Sequence, residues 1–384
     1  MPESGLGRMS LSIPNLDVDL SELEGKKFTC YEECGLCCLC QAEVLPEEVP
    51  FFKKNYPKNI VQKTEPHRHT ALALKNKEGP CIFLAPNRRC TIYQNRPHYC
   101  RQFPFHIYAG ERVQMELDLS CRGVWGNSGE DALVVGANMV SDHLEELREY
   151  LPQSQAVYRD FVNNCKEAGT YKSPELLRKK FKEKIPLMMN LQYLAKILDL
   201  SSDDEEMELP EGVEGREYSK KELEISAMET GVESLIAEDI YSAPVYCDPR
   251  NRWNVFMAED DEIEWAVMGD DGVLTPAGKI DPQKVPLLAP EGDGIQVFLD
   301  YLNTLNNRDS SMGYAYYLVD DYGYEDYVAN AYYGMMATAA LDVLWRASLI
   351  AHINEWKLDA SGMREGIIAY DMDRLDAPTI GAFL

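Results

Sequence analysis

Basic charge is scarce in this sequence. The 384 residues hold 38 Lys and Arg against 64 Asp and Glu, a formal net charge of −26. That balance argues against a nucleic-acid binder, which needs basic patches to meet phosphate. It argues equally against charge-driven attachment to an anionic membrane. Enzyme signatures are missing too. There is no G-x-x-x-x-G-K-[ST] loop, no G-x-G-x-x-G after a strand, no G-x-S-x-G elbow and no H-E-x-x-H. Glu291-Gly-Asp-Gly294 lacks the apolar strand that a nucleotide-binding turn requires, and reads as an ordinary helix start. The first residues, Met1-Pro-Glu-Ser-Gly, carry no basic region followed by an apolar run, so no signal peptide is expected. Nor is a membrane span. The most apolar stretch, about Val328 to Ile353, contains Asp342 and Arg346 four residues apart. The pair predicts a buried helix with one surface stripe. These absences predict a cytoplasmic protein, in a compartment where clustered cysteines mean metal or redox chemistry before disulfides.

Charge and cysteine are distributed in opposite ways. Residues 1–200 carry 26 basic and 26 acidic side chains, whereas residues 201–384 carry 12 and 38. Nine of the 11 cysteines lie between Cys30 and Cys121, leaving only Cys165 and Cys247 outside. Length and this asymmetry predict an α+β chain of several parts. An N-terminal arm covers 1–27, a loop-rich cysteine domain 28–130 and a helical segment 131–200. An acidic linker or exposed loop at 201–217 precedes an acidic, mainly helical α+β module at 218–384.

Local signals place some elements. Helices are expected at 131–151 and 154–168 from their apolar spacing. Another opens at Ser173-Pro174, with Ser173 as N-cap, and runs toward Leu200 with an interruption near Pro186. Further helices are expected from Ser219 to about Ala237, and over 293–306 and 325–356. Strand-like pieces are Ala71–Leu74, Cys81–Leu84, Arg252–Met257 and Ile263–Met268, and His106–Tyr108 with Val113–Leu117 reads as a hairpin. Nine tyrosines between Tyr301 and Tyr333 suit either core packing or a surface for a basic or lysine-bearing protein partner.

The chemistry concentrates in the cysteines. Cys30, Cys34, Cys37, Cys38 and Cys40 place five thiols within 11 residues, with Gly35 freeing the backbone between them. Thiolates at such gaps wrap a soft metal centre. Cys34, Cys37 and Cys40 form C-x2-C-x2-C, a ferredoxin-like spacing, and Cys30, Cys34 and Cys37 form C-x3-C-x2-C. Adjacent Cys37 and Cys38 point different ways and suit two centres, or one ligand and one redox thiol. A dispersed set follows: Cys81, Cys90, Cys100 and Cys121. Arg88, Arg89, Arg96, Arg101 and Arg122 lie beside these thiols, where positive charge offsets thiolate. His98, two residues before Cys100, is a candidate ligand or hydrogen-bond donor to sulfur. His67 and His69 would face the same side of a strand and could ligate, but a polar surface loop is expected there. His143 and His352 read as structural.

The stretches Gly79-Pro-Cys-Ile-Phe-Leu, Arg89-Cys-Thr-Ile-Tyr-Gln-Asn-Arg-Pro-His-Tyr-Cys-Arg-Gln-Phe-Pro and Cys121-Arg-Gly resemble the bacterial and archaeal YkgJ-type cysteine-cluster family. Its commonest first spacing is C-x2-C-x2-C-C, and this chain has three residues between Cys30 and Cys34. The resemblance implies a zinc- or iron-chelating domain with Cys30, Cys34, Cys37, Cys38, Cys81, Cys90, Cys100 and Cys121 as metal ligands; Arg96 and Arg101, which belong to its motif, and His98, from its place beside Cys100, are expected to support the bound group. A related branch resembles flagellin lysine N-methylases. Three functions are therefore expected in order: an iron–sulfur protein of [4Fe–4S] type, a cluster-dependent protein-modifying enzyme resembling a lysine N-methylase, and a zinc-stabilised interaction module.

Overall fold

The computed structural model describes residues 16–384 except Pro66, Tyr241 and Asp376. In chain order the first elements are β1 (Val18–Asp19), β2 (Lys27–Phe28), β3 (Glu43–Val44), α1 (Val49–Asn55), β4 (Ile60–Lys63), β5 (His69–Leu72), α2 (His98–Gln102), β6 (Phe105–Ala109), β7 (Val113–Leu117), α3 (Arg122–Trp125) and β8 (Glu130–Asp131). Helices α4 (Ala132–Asp142), α5 (Leu144–Ala168), α6 (Pro174–Lys184), α7 (Leu191–Ser201) and α8 (Lys220–Glu233) follow. Then come β9 (Val245–Cys247), β10 (Trp253–Glu259), β11 (Glu262–Met268), β12 (Leu274–Ile280), α9 (Asp293–Asn307), α10 (Asp309–Asp321), α11 (Val328–Asn354), α12 (Ala360–Leu375) and β13 (Ala382–Phe383). The chain is α+β, with its strands in several small sheets.

The expected hairpin forms as β6–β7, and both ends of the described chain dock on it. β1 pairs parallel with β7, and β13 pairs antiparallel with β6. The cysteine segment builds a separate sheet of order β3-β5-β4, and β9 to β12 make an antiparallel meander. Helix α11 is the spine of the C-terminal half. It is long and apolar enough to cross a membrane, but 94% of its apolar window is buried inside the protein. Its Asp342 and Arg346 are paired at 2.9 Å as the spacing predicted, yet both are buried, so this pair forms no surface stripe. The reason is α12, whose Ala369 carbonyl accepts from Arg346 at 2.6 Å. Gly366 permits this close crossing, since a Cβ there would lie 2.4 Å from the Ala347 Cβ.

Capping chemistry set several boundaries. Ser173 accepts from the Leu176 N–H, and Ser219 with Glu222 forms a reciprocal capping box. Other expectations fail. The helix break falls at His143, not near Pro152, because the His143 ring turns back onto the Met139 carbonyl at 2.7 Å. Pro152 lies inside α5 at an exposed position, where the carbonyl that loses its helical partner is open to solvent. Cys81–Leu84 is not a strand; its residues make turns and two isolated bridges, Leu74 to Cys81 and Leu84 to Cys90. The acidic stretch 201–217 is largely an exposed loop, as one of the two readings expected, but it is pinned at a few points. Met207 and Leu209 are buried, Asn330 binds its backbone, and Lys172, Lys180 and Lys184 pair with Glu206, Glu208 and Glu211. Tyr301, Tyr316, Tyr332 and Tyr333 belong to the core.

Candidate metal centre

The first cysteine group sits on a tight turn. Gly35 has φ of 62°, the left-handed region, and a Cβ there would press on Trp253 at 3.1 Å and Leu84 at 3.2 Å. The chain then makes one short helical turn over Leu36–Cys38. Backbone bonds staple the second group to the first: the Cys81 N–H donates to the Cys38 carbonyl at 2.7 Å. Cys100 arrives on α2, whose His98 N–H donates to Glu48 at 3.0 Å. A small apolar cluster of Val44, Phe52, Leu72, Cys81, Phe83 and Ile92 packs beneath, with Cys38, Cys90 and Cys100 against it.

The result is a cavity of about 660 Å³ walled by Cys30, Cys37, Cys38, Cys40, Cys81, Cys90 and Cys100. Arg88, Arg89 and Arg96 also line it. Arg96 stacks on Tyr93 at 3.8 Å, and Arg88 stacks on Trp253 at 3.9 Å while donating to Asp270 at 2.8 Å. Among the described residues, no three cysteine sulfurs lie within 4.8 Å of one another. Two other expected residues stand elsewhere. Arg101 pairs with Glu48 at 3.1 Å. The His98 ring meets His143 with Nε2 atoms 2.7 Å apart, and neither Arg101 nor His98 is among the cavity walls. Since His143 Nδ1 faces a carbonyl, its Nε2 is the acceptor and His98 Nε2–H the donor.

Cys34 and Cys121 lie beside the cavity, and Cys34 meets a thiol that sequence reasoning set aside. Cys247, on β9, is fully buried, and its S–H is directed at the Cys34 carbonyl at 4.0 Å. Three further contacts clamp this junction. Trp253 Nε1–H donates to the Cys34 carbonyl at 2.7 Å, Arg122 Nε–H donates to the Cys247 carbonyl at 2.7 Å, and Arg122 forms a buried bidentate pair with Glu365. No spacing rule could have found Cys247, because tertiary packing brings it in from more than 200 residues away.

Electrostatics separate the thiols. The hydrogen bond from Cys247 holds Cys34 down to about 7 against the opposing effect of burial, helped by the Leu36 N–H, Arg122 and Arg88. Cys37 is lowered by a hydrogen bond from Cys38. Burial pushes Cys81 up to about 11 and Cys100 up to about 12, and raises Cys90 and Cys121. A buried cation reverses that second effect, because thiols that coordinate a metal are deprotonated outright. The donor set therefore fits a soft metal centre.

Residues 29–122 match the model of a family named CxxCxxCC and described as "Putative zinc- or iron-chelating domain". This segment is similar to the cysteine-cluster domains of that family, and the likeness supports metal binding. The match spans all eight cysteines expected as ligands and stops short of Cys247. It covers about a quarter of the chain, and no curated protein or solved structure matches the chain significantly. The cysteine-cluster domain thus accounts for the thiol cavity, while the Cys247 side of the junction comes from outside it.

Proposed function

We propose that the cysteine-cluster domain holds a [4Fe–4S] cluster and serves redox or cluster-assisted chemistry. The observation that carries this reading is the spread of seven thiols around one cavity of about 660 Å³. A zinc ion bound at about 2.3 Å by four thiolates brings their sulfurs to about 3.8 Å apart. Here no three sulfurs among the described residues come within 4.8 Å of one another. An iron–sulfide core stands between its cysteine ligands and keeps them farther apart, which suits this arrangement. Arg88, Arg89 and Arg96 offset the negative charge that such a core carries. Dense thiols of this kind suit a reducing cytoplasm.

Zinc is the second reading. It is favoured by the close pairs Cys37–Cys38 and Cys34–Cys247, each joined by a thiol hydrogen bond. The test is anaerobic purification followed by a visible spectrum and assays for iron, sulfide and zinc. Iron and sulfide in equal amounts, with broad visible absorption that bleaches on reduction, is the expected result. A colourless protein carrying zinc alone overturns the cluster and leaves metal-stabilised folding.

A further inference from the structure

A different donor set lies outside the cavity, on the three-stranded sheet. Glu43 is on β3, His69 opens β5, and His67 precedes it in the loop. β3 and β5 pair with Glu43 opposite Ala71, which brings the carboxylate alongside the two rings. One ligand atom from each of the three residues lies within 4.8 Å of the other two. His67 Nε2 is 3.8 Å from Glu43 Oε2, and the two imidazoles are 5.0 Å apart between centroids. His69 Nδ1–H donates to the His67 carbonyl at 2.8 Å. That bond orients the ring and leaves the Nε2 lone pair available, the arrangement that metal-bound histidines adopt.

We propose that Glu43, His67 and His69 form a second metal site, separate from the cysteine centre and open at one position, for a divalent borderline cation such as zinc(II). Two imidazoles and one carboxylate form the donor set that zinc takes where it keeps a fourth position for water or substrate. The set contains no thiolate, so it differs in softness from the cavity. Its side chains are partly exposed, with His67 at 66% and Glu43 at 29%, so small rotations can close the 3.8 Å gap to bonding distance without disturbing a core. His69 shares β5 with Leu72, a wall residue of the cysteine cavity, so the two sites sit on opposite ends of one short strand.

The test uses the protein as isolated, with its cysteine centre filled. Zinc(II) is titrated by calorimetry into the wild type, the His67→Ala/His69→Ala double variant and Glu43→Gln. Circular dichroism and the content of metal already bound are followed in each. About one further zinc should bind the wild type, and Glu43→Gln should bind it about tenfold or more weakly. The double variant should lose the event while keeping its fold and its resident metal. Equal binding in wild type and double variant overturns the proposal. So does cobalt(II) titration that adds thiolate-to-metal charge-transfer absorption, since the extra ion then sits on cysteine. If the double variant misfolds, Glu43→Gln alone decides, and unchanged affinity there overturns the site.

Discussion

The cysteine cavity and the junction between β7 and α10 both bury polar groups, and they satisfy them by opposite means. At the junction Arg308 is 1% exposed and donates to Glu22 at 3.0 Å, to Asp371 at 2.8 Å and to the Leu117 carbonyl at 2.8 Å. Ser310 supplies Glu116 with a backbone bond at 3.0 Å and a hydroxyl bond at 2.6 Å. Tyr301 and the Leu119 N–H complete Asp371. Every carboxylate there has protein donors, and the surrounding core is the large one that includes α11. In the cavity seven thiols face a common space over two small core clusters, one of six buried side chains that include Cys81 and one of five that joins Leu36 and Leu84 to Cys247, Trp253 and Met268. Both clusters are small beside the main core. One region is satisfied within the chain, while the other carries a donor set that suits a metal.

Several substitutions break or sharpen this contrast. The largest effect is expected for Cys81→Ser with Cys90→Ser, which removes two cavity thiols. Bound metal should fall to about a tenth of wild type or less by elemental analysis, with the α11 helical signal retained. Next comes Arg308→Met, which strands Glu22, Glu116 and Asp371. It should cost about 3–5 kcal/mol in urea denaturation. Metal bound by the still-folded fraction should be unchanged.

A pH experiment probes the same junction more finely. Burial raises Glu116 to about 7 despite Arg308. Its ordinary value is 4.5, so between those pH values the folded state keeps a proton that the unfolded state has released. The stability Glu116 contributes is therefore present at low pH and is lost as pH rises through about 7. Glu116→Gln should flatten that fall, a difference on the order of 3 kcal/mol between pH 5 and pH 8 when compared with wild type. Equal pH slopes for the two proteins would show that Glu116 is ionised throughout. The smallest effect is expected at the surface: Ser219→Ala removes the capping box of α8 and should cost about 1 kcal/mol by thermal denaturation.

Much of the metal site was legible in the sequence because chemistry and spacing coincide there. The cysteines from Cys30 to Cys121 announced a metal domain, and the family match spans all eight expected ligands. Hairpin β6–β7 and the Ser173 and Ser219 caps were legible for a similar reason, as local side-chain signals set them. Long-range pairing was not legible. Cys247 reaches Cys34 only through the fold, and His143 reaches His98 across 45 residues. Helices α10 and α12 escaped notice because Gly313, Gly362 and Gly366 weaken the helical signal while close packing requires them small. Gly313, for example, would place a Cβ 1.9 Å from the Tyr108 hydroxyl. Residues 201–217 are mostly exposed, as their charge suggested, while the two buried side chains, Met207 and Leu209, are too few to form a pattern, and the Met207 bond to Asn330 is long-range.

The central claim is that bound metal, more than apolar packing, holds the cysteine-cluster domain together. Hydrogen exchange measured on the metal-loaded protein and after chelation tests it directly. Protection is expected to collapse across residues 29–122 while α11 and the Arg308 junction keep theirs. Unchanged protection throughout the cysteine segment after complete metal removal would contradict it.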